Sequence, residues 1–121
     1  MSKPRILLAD DHMLVLDGLR NLLERHYDLV GTVQDGHSVV NAARRLRPDL
    51  VLMDVNLPGI DGVEATRRIN ASEAPPVVVL LSTYDEDEFD RSDCGATAYI
   101  SKAALSPGRL QQLWSAAGTT R

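Results

Sequence analysis

Residues 50–59 read Leu-Val-Leu-Met-Asp-Val-Asn-Leu-Pro-Gly, an unbroken apolar run that ends at an acid and is soon followed by a turn. A short apolar run without alternating polar residues is typical of a strand buried on both faces of a parallel sheet. The Pro58-Gly59 pair indicates a sharp change of direction beyond it. As part of such a strand, Asp54 would lie at its carboxyl end, the edge where open α/β sheets hold their ligands.

Four further short apolar runs accompany this one and alternate with stretches that have helical spacing. In the second helical stretch, the apolar residues between Val39 and Leu46 form one stripe, and Pro48 ends the helix because the residue before a proline avoids helical geometry. The alternation predicts an α/β fold, with one parallel sheet and helices on both faces. The predicted strands are residues 5–9, 29–33, 50–53, 77–82 and 97–100.

The length and composition of the chain limit its organisation. With 121 residues we expect a single domain over 1–121, with a core at 4–117, a polar tail at 118–121 and no room for a separate output domain. The 13 Lys and Arg residues against 17 Asp and Glu residues give a net charge of -4, which argues against direct nucleic-acid binding. One cysteine, no signal peptide and no apolar run of about 20 residues favour a cytoplasmic protein outside the membrane.

Ionisable residues follow three of the predicted strands. Asp10 and Asp11 come directly after the first strand, Asp54 follows the third, and Lys102 follows the fifth. Neighbouring parallel strands would bring three carboxylates together, and these would repel one another unless a cation lay between them. Oxygen ligands suit Mg²⁺, which often bridges carboxylate to phosphate. The alternative for the acidic pair is helix capping, because carboxylates also accept the amide hydrogens at a helix N-terminus.

A set of residues at several strand ends resembles the receiver domain of two-component response regulators: the acidic pair, Asp54 with Pro58-Gly59, Ser82 and Lys102. The resemblance runs from Arg5 to about Trp114. It implies a flavodoxin-like, doubly wound sheet of five parallel strands in the order 2-1-3-4-5, with five helices. The most similar subfamily usually carries a helix-turn-helix DNA-binding domain, which we expect to be absent here, so that the chain is a stand-alone receiver.

The same resemblance assigns roles to the acidic residues. Asp54 would be the phosphoacceptor, whose carboxylate takes a phosphoryl group from a phosphohistidine of a sensor histidine kinase. Asp11 would bind Mg²⁺ directly and Asp10 through water, while Asp54 and the backbone carbonyl of Asn56 complete the metal site. Phosphoryl transfer needs positioning and positive charge, which the metal and a lysine supply. We expect that the protein is not an enzyme in the usual sense, because a receiver domain catalyses only its own phosphotransfer and dephosphorylation.

Three further residues receive roles from this resemblance. Ser82 and Lys102 would hold phosphoryl oxygens, and Tyr99 would be the aromatic switch that follows the hydroxyl inward and changes a protein-binding surface. Taken alone, each has a simpler interpretation: a strand-end hydroxyl that bonds its own backbone, a solvated lysine, and a half-buried ring with its hydroxyl in water. The expected partners are the sensor kinase, an unidentified downstream protein and, as a further candidate, a second copy of the chain.

Residues 83–94 depart from the family pattern. They contain six acids and, after their opening, one large apolar residue, Phe89. We expect a short or irregular fourth helix, because like charges repel and Asp and Ser compete with helical hydrogen bonds. The segment leaves open a second hypothesis, a receiver-fold binding module that works without phosphorylation. A third, a Mg²⁺-dependent phosphohydrolase, is disfavoured because Asn56 stands where its general acid would be needed.

Overall fold

The computed structural model describes residues 3–82, 95–101, 108, 109 and 112. Within them, helices connect the first four strands. No helix in this described part combines the length and apolar composition that a bilayer crossing requires. The elements are β1 (Arg5–Ala9), α1 (Met13–Glu24), β2 (Asp28–Val33), α2 (Gly36–Leu46), β3 (Leu50–Asp54), α3 (Gly62–Asn70), β4 (Val77–Ser82) and β5 (Ala98–Ser101).

The strands form one five-stranded parallel sheet in the order β2-β1-β3-β4-β5. This order confirms the predicted flavodoxin-like α/β fold, and every predicted strand agrees with the observed one within one residue at each end. Of the five predicted helices, the first three are α1 to α3. The predicted fourth helix, within 83–94, lies outside the described residues. After β5, the described residues 108, 109 and 112 have helical backbone.

Alternate residues of the central strands face opposite sides of the sheet, so the fold has two cores. On β1, Leu7 and Ala9 belong to the core shared with α2 and α3. Ile6 and Leu8 belong to the core on the other face, which includes Leu23 of α1. Strands β3 and β4 are buried along their whole length. Because burial of one aliphatic side chain contributes about 1.5–3 kcal/mol, these central strands dominate the stability of the sheet.

Both ends of α2 are fixed by local geometry. Oδ1 of Asp35 accepts a hydrogen bond from the backbone N–H of Ser38 at 2.8 Å and so caps the N-terminus. At the other end Arg47 adopts a left-handed conformation, with φ 48°, directly before Pro48. The helix therefore ends where the proline predicts. The Arg47 carbonyl also accepts a hydrogen bond from Nη1 of Arg5 at 2.9 Å, which ties this turn to β1.

The first residue of α3 lies against the strand that ends at Asp54. The backbone N–H of Gly62 donates to the carbonyl of Val55 at 2.8 Å. A Cβ on Gly62 would lie 2.5 Å from the carbonyl oxygen of Asp54, so this close approach requires glycine. Oδ1 of Asp61 caps the helix by accepting from the backbone N–H of Glu64 at 2.8 Å. The start of α3 therefore supports the end of β3.

Candidate functional site

The carboxyl ends of β1 and β3 lie where the strand order reverses: β2 is added on one side of β1, and β3 to β5 are added on the other. The helix after β1 covers one face and the helix after β3 covers the other. Such a reversal opens a crevice at the carboxyl edge of the sheet. The two strands are neighbours, with Ala9 opposite Met53. The next residue along each is an acid, and Asp10 and Asp54 are almost wholly buried, at 0% and 1% exposed.

Backbone amides fix the orientation of both buried carboxylates. Oδ1 of Asp10 accepts from the backbone N–H of His12 at 2.9 Å, and Oδ1 of Asp54 accepts from that of Asn56 at 3.0 Å. Each carboxylate thus bonds the amide two residues further on, a tight turn typical of Asp. The helix-capping alternative for the acidic pair does not describe this geometry. The N-cap of α1 is His12, and the first turn of α1 contains no acid.

The imidazole of His12 lies inside the acidic cluster, a position that no pattern in the sequence predicts. Its Nδ1 is 3.1 Å from Oδ1 of Asp10, 3.4 Å from Oδ1 of Asp11 and 3.7 Å from Oδ2 of Asp54. His12 and Asp11 form the outer part of the cluster, because 56% and 38% of their side chains are exposed. The only signal in the sequence is the position of this histidine next to two acids, and adjacency does not say which way a ring points.

The four clustered side chains carry the donor atoms of a divalent-cation site. One ligand atom from each of Asp10, Asp11, His12 and Asp54 lies within 4.8 Å of the others. The buried Oδ2 of Asp10 accepts no hydrogen bond from the described residues. Carboxylate oxygens are the ligands that Mg²⁺ prefers, so the residues present fit the predicted metal. The predicted role of the Asn56 carbonyl stays a prediction.

Strands β4 and β5 continue the same edge of the sheet. Asp54 pairs with Leu81, so the buried Ser82 lies one step beyond the end of β3 on the neighbouring strand. Tyr99 of β5 is half-buried and packs against the core on the side of α2 and α3. The phosphoryl-binding and switch roles of these two residues stay predictions. Lys102 follows the last residue of β5 and lies outside the described residues.

The sequence matches the response regulator receiver domain over residues 6–114. It is 38% identical to the response regulator GacA of Pseudomonas aeruginosa over 104 residues, which cover 83% of this chain and 49% of GacA. It is 39% identical to the transcriptional regulatory protein PdtaR of Mycobacterium tuberculosis over 100 residues, which cover 81% of this chain and 49% of PdtaR. The chain therefore spans about half the length of these curated relatives.

Two solved structures show the same architecture. A LuxR-family two-component response regulator from Aurantimonas sp. SI85-9A1 superimposes with a TM-score of 0.84 at 33% identity, covering 99% of this chain and 88% of that one. The response regulator domain of CheB from Thermotoga maritima superimposes with a TM-score of 0.75 at 26% identity, covering 97% and 92%. In both cases the similarity extends over nearly the whole of this chain.

Proposed function

The chain belongs to the response regulator receiver domain family of two-component systems, and on this premise we propose that Asp54 accepts a phosphoryl group from a phosphohistidine of a sensor histidine kinase. The observation that carries the proposal is the placement of Asp54. Its carboxylate is buried at the carboxyl edge of the sheet and belongs to one cluster with Asp10 and Asp11. A carboxylate in this position can act as a nucleophile toward an anion only when positive charge offsets the acids around it.

The local geometry distinguishes the two oxygens of Asp54. Oδ1 accepts the hydrogen bond from the Asn56 amide, whereas Oδ2 is the oxygen nearer His12. One of these two oxygens is the proposed nucleophile. It forms a bond to phosphorus while the P–N bond of the donor phosphohistidine breaks, and the departing imidazole nitrogen keeps the electron pair and takes up a proton. The product is an acyl phosphate on Asp54.

Asp10 and Asp11 are the residues we propose to hold Mg²⁺ beside Asp54. A divalent cation bound there supplies positive charge to the phosphoryl oxygens, which carry most of the charge during transfer. Ser82, at the end of the neighbouring strand, and Lys102 are the proposed partners of the same oxygens. Tyr99 is the proposed residue through which the phosphorylated state reaches a protein-binding surface. In this scheme the protein catalyses only its own phosphorylation and dephosphorylation, in the cytoplasm, and passes the signal to a downstream protein.

Labelling by a small phosphodonor tests the role of Asp54. We expect acetyl phosphate with Mg²⁺ to add one phosphoryl group per chain, which intact-protein mass spectrometry detects. The variant Asp54→Asn removes the nucleophile and keeps the side-chain volume, so it should show no labelling. Asp28→Asn is the matched control, because Asp28 is an exposed acid at the start of β2, at the opposite end of the strands. The control should label like the unmodified protein.

Two results would contradict the proposal. Labelling of Asp54→Asn at the yield of the unmodified protein would place the phosphoryl group on another residue. The second result is that neither acetyl phosphate nor a histidine kinase labels the protein, and that its amide spectra do not respond to beryllofluoride with Mg²⁺. The chain would then be a binding module that works without phosphorylation. Chelation of Mg²⁺ by EDTA should abolish labelling of the active protein.

A further inference from the structure

The acidic cluster contains one nitrogen donor atom, Nδ1 of His12. The side chain of His12 is 56% exposed, and its Nδ1 faces the acids at 3.1 Å from Oδ1 of Asp10, which is also a hydrogen-bond distance. Two of those acids, Asp10 and Asp54, come from different strands and are buried. The imidazole therefore lies at the outer side of a pocket that has carboxylates behind it.

The distances around Nδ1 match the spacing of ligands around one ion. Ligand bonds to an octahedral ion of the size of Mg²⁺ are about 2.0–2.1 Å, so neighbouring ligand atoms lie about 3 Å apart and opposite ones about 4 Å apart. The distances from Nδ1 to the three carboxylate oxygens are 3.1, 3.4 and 3.7 Å. All four donor atoms lie within 4.8 Å of one another, so the most widely spaced ones must approach by up to about 0.8 Å to share one such ion. Nδ1 thus occupies the position of a fourth ligand atom in the same set.

We propose that Nδ1 of His12 is a ligand of the bound cation. The site then has both oxygen and nitrogen ligands. Its affinity for divalent first-row transition metals such as Mn²⁺ and Co²⁺, relative to its affinity for Mg²⁺, is higher than that of a site made of three carboxylates alone. The physical reason is that imidazole is a softer ligand than carboxylate and gains most with transition metals, whereas Mg²⁺ prefers oxygen. This inference rests on the proposed function for the existence of the cation site and extends it by naming a ligand and a class of metal.

Pulsed electron paramagnetic resonance on the Mn²⁺-loaded, tag-free protein tests the ligand directly. A nitrogen bound to Mn²⁺ gives a ¹⁴N coupling that an all-oxygen site lacks. We expect this coupling in the unmodified protein and its loss in His12→Asn, which offers an amide oxygen at nearly the same place. His26→Asn is the matched control, since it removes an exposed imidazole just after the C-terminal end of α1, and it should retain the coupling.

Calorimetric titration with Co²⁺ and with Mg²⁺ supplies a second readout. Replacement of the nitrogen ligand by an oxygen in His12→Asn should weaken Co²⁺ binding about tenfold and change Mg²⁺ binding by less than about twofold. A tenfold loss is the lower end of the loss of metal affinity that changes around metal ligands cause. The ratio of the two dissociation constants should stay unchanged in His26→Asn. Thermal melts of the metal-free proteins should be similar, because the replaced side chain is largely exposed.

The outcomes separate this inference from the proposed function. If Mn²⁺ and Mg²⁺ bind but no ¹⁴N coupling is seen, or if His12→Asn weakens Co²⁺ and Mg²⁺ binding equally, the ligand assignment is wrong and the phosphoacceptor proposal is unaffected. If no divalent ion binds the unmodified protein at millimolar concentration, both the ligand assignment and the proposed cation site are wrong. A ¹⁴N coupling that persists in His12→Asn also overturns the assignment.

Discussion

The close contact between the start of α3 and the end of β3 gives the most specific prediction, the substitution Gly62→Ala. The added Cβ would lie 2.5 Å from the carbonyl oxygen of Asp54 and 2.9 Å from Cα of Val55. Both are backbone atoms, so no side chain can rotate away to make room. Ordinary contact begins at 3.4 Å, and the first turn of α3 must therefore move outward by about 0.9 Å.

The cost follows from two contributions. Overpacking of a close contact costs about 1–3 kcal/mol. The outward movement also lengthens the 2.8 Å hydrogen bond from the Gly62 N–H to the Val55 carbonyl, which is worth about 1 kcal/mol. The better helix propensity of alanine offsets part of this loss. We expect the free energy of unfolding to fall by about 1–3 kcal/mol, and the melting temperature to fall by about 4–12 °C.

Gly18→Ala is the matched control for this prediction. Gly18 lies inside α1, and a Cβ built on it meets no atom within 4 Å. The same chemical change should therefore stabilise the protein by about 0.5–1 kcal/mol through helix propensity alone. Urea unfolding of both variants, in metal-free buffer, compares the two free energies. A loss below about 0.5 kcal/mol for Gly62→Ala, or an equal loss for Gly18→Ala, would refute the reasoning from close contact.

Three further predictions concern charge and backbone geometry. Asp35→Ala should cost about 1 kcal/mol at neutral pH by loss of the cap on α2. Hydrogen bonds from the backbone N–H and the side chain of Ser38 lower the pKa of Asp35 below 3.8. The stability that the Asp35 carboxylate contributes is therefore complete above the usual pKa of an aspartate and is lost as pH falls through the lowered pKa. Urea unfolding between pH 6 and pH 2 should show the free energies of unfolding of the variant and the parent converge. Arg47→Gly should raise the free energy of unfolding by up to about 1 kcal/mol, because glycine adopts φ 48° without strain, and a lower midpoint in urea would contradict this. Asp54→Asn should raise the stability of the metal-free protein by about 1 kcal/mol, because it removes one of several like charges. Mg²⁺ at 100 times its dissociation constant should add about 2.7 kcal/mol to the stability of the unmodified protein but not to that of the variant. Equal shifts of the two melting temperatures with Mg²⁺ would argue against a cation site at Asp54.

The positions of the strands were predictable from the sequence because the information is local. The run that ends at Asp54 is apolar without interruption, and a strand of this kind must be buried on both faces. An acid directly after such a run lies at the carboxyl edge of the sheet, which places Asp10 and Asp54 together once the strands are neighbours. The order of the strands came from the family resemblance, and the structure confirms it.

The parts that the sequence did not predict depend on contacts between distant residues. The ring of His12 is directed by acids on two strands, and no pattern around position 12 reports that direction. Gly36 and Gly62 are ordinary glycines in the sequence. In the structure each permits a backbone approach: a Cβ on Gly36 would meet the carbonyl oxygen of Ile60, just as one on Gly62 would meet that of Asp54. Proline at position 48 predicts the end of α2 but not the left-handed geometry of Arg47.

The ladder between β1 and β2 contains an irregularity that bears on aggregation. Ile6 pairs with Leu29 and Leu7 with Gly31, so Val30 is an extra residue that bulges from β2. In the described part of the chain β2 pairs with β1 alone, and its outer edge therefore offers backbone donors and acceptors to any chain that arrives. A bulge disturbs the even spacing that an added strand needs. Copies of this protein at high concentration should therefore associate poorly through the outer edge of β2. Deletion of Val30 would remove this protection against edge-to-edge aggregation.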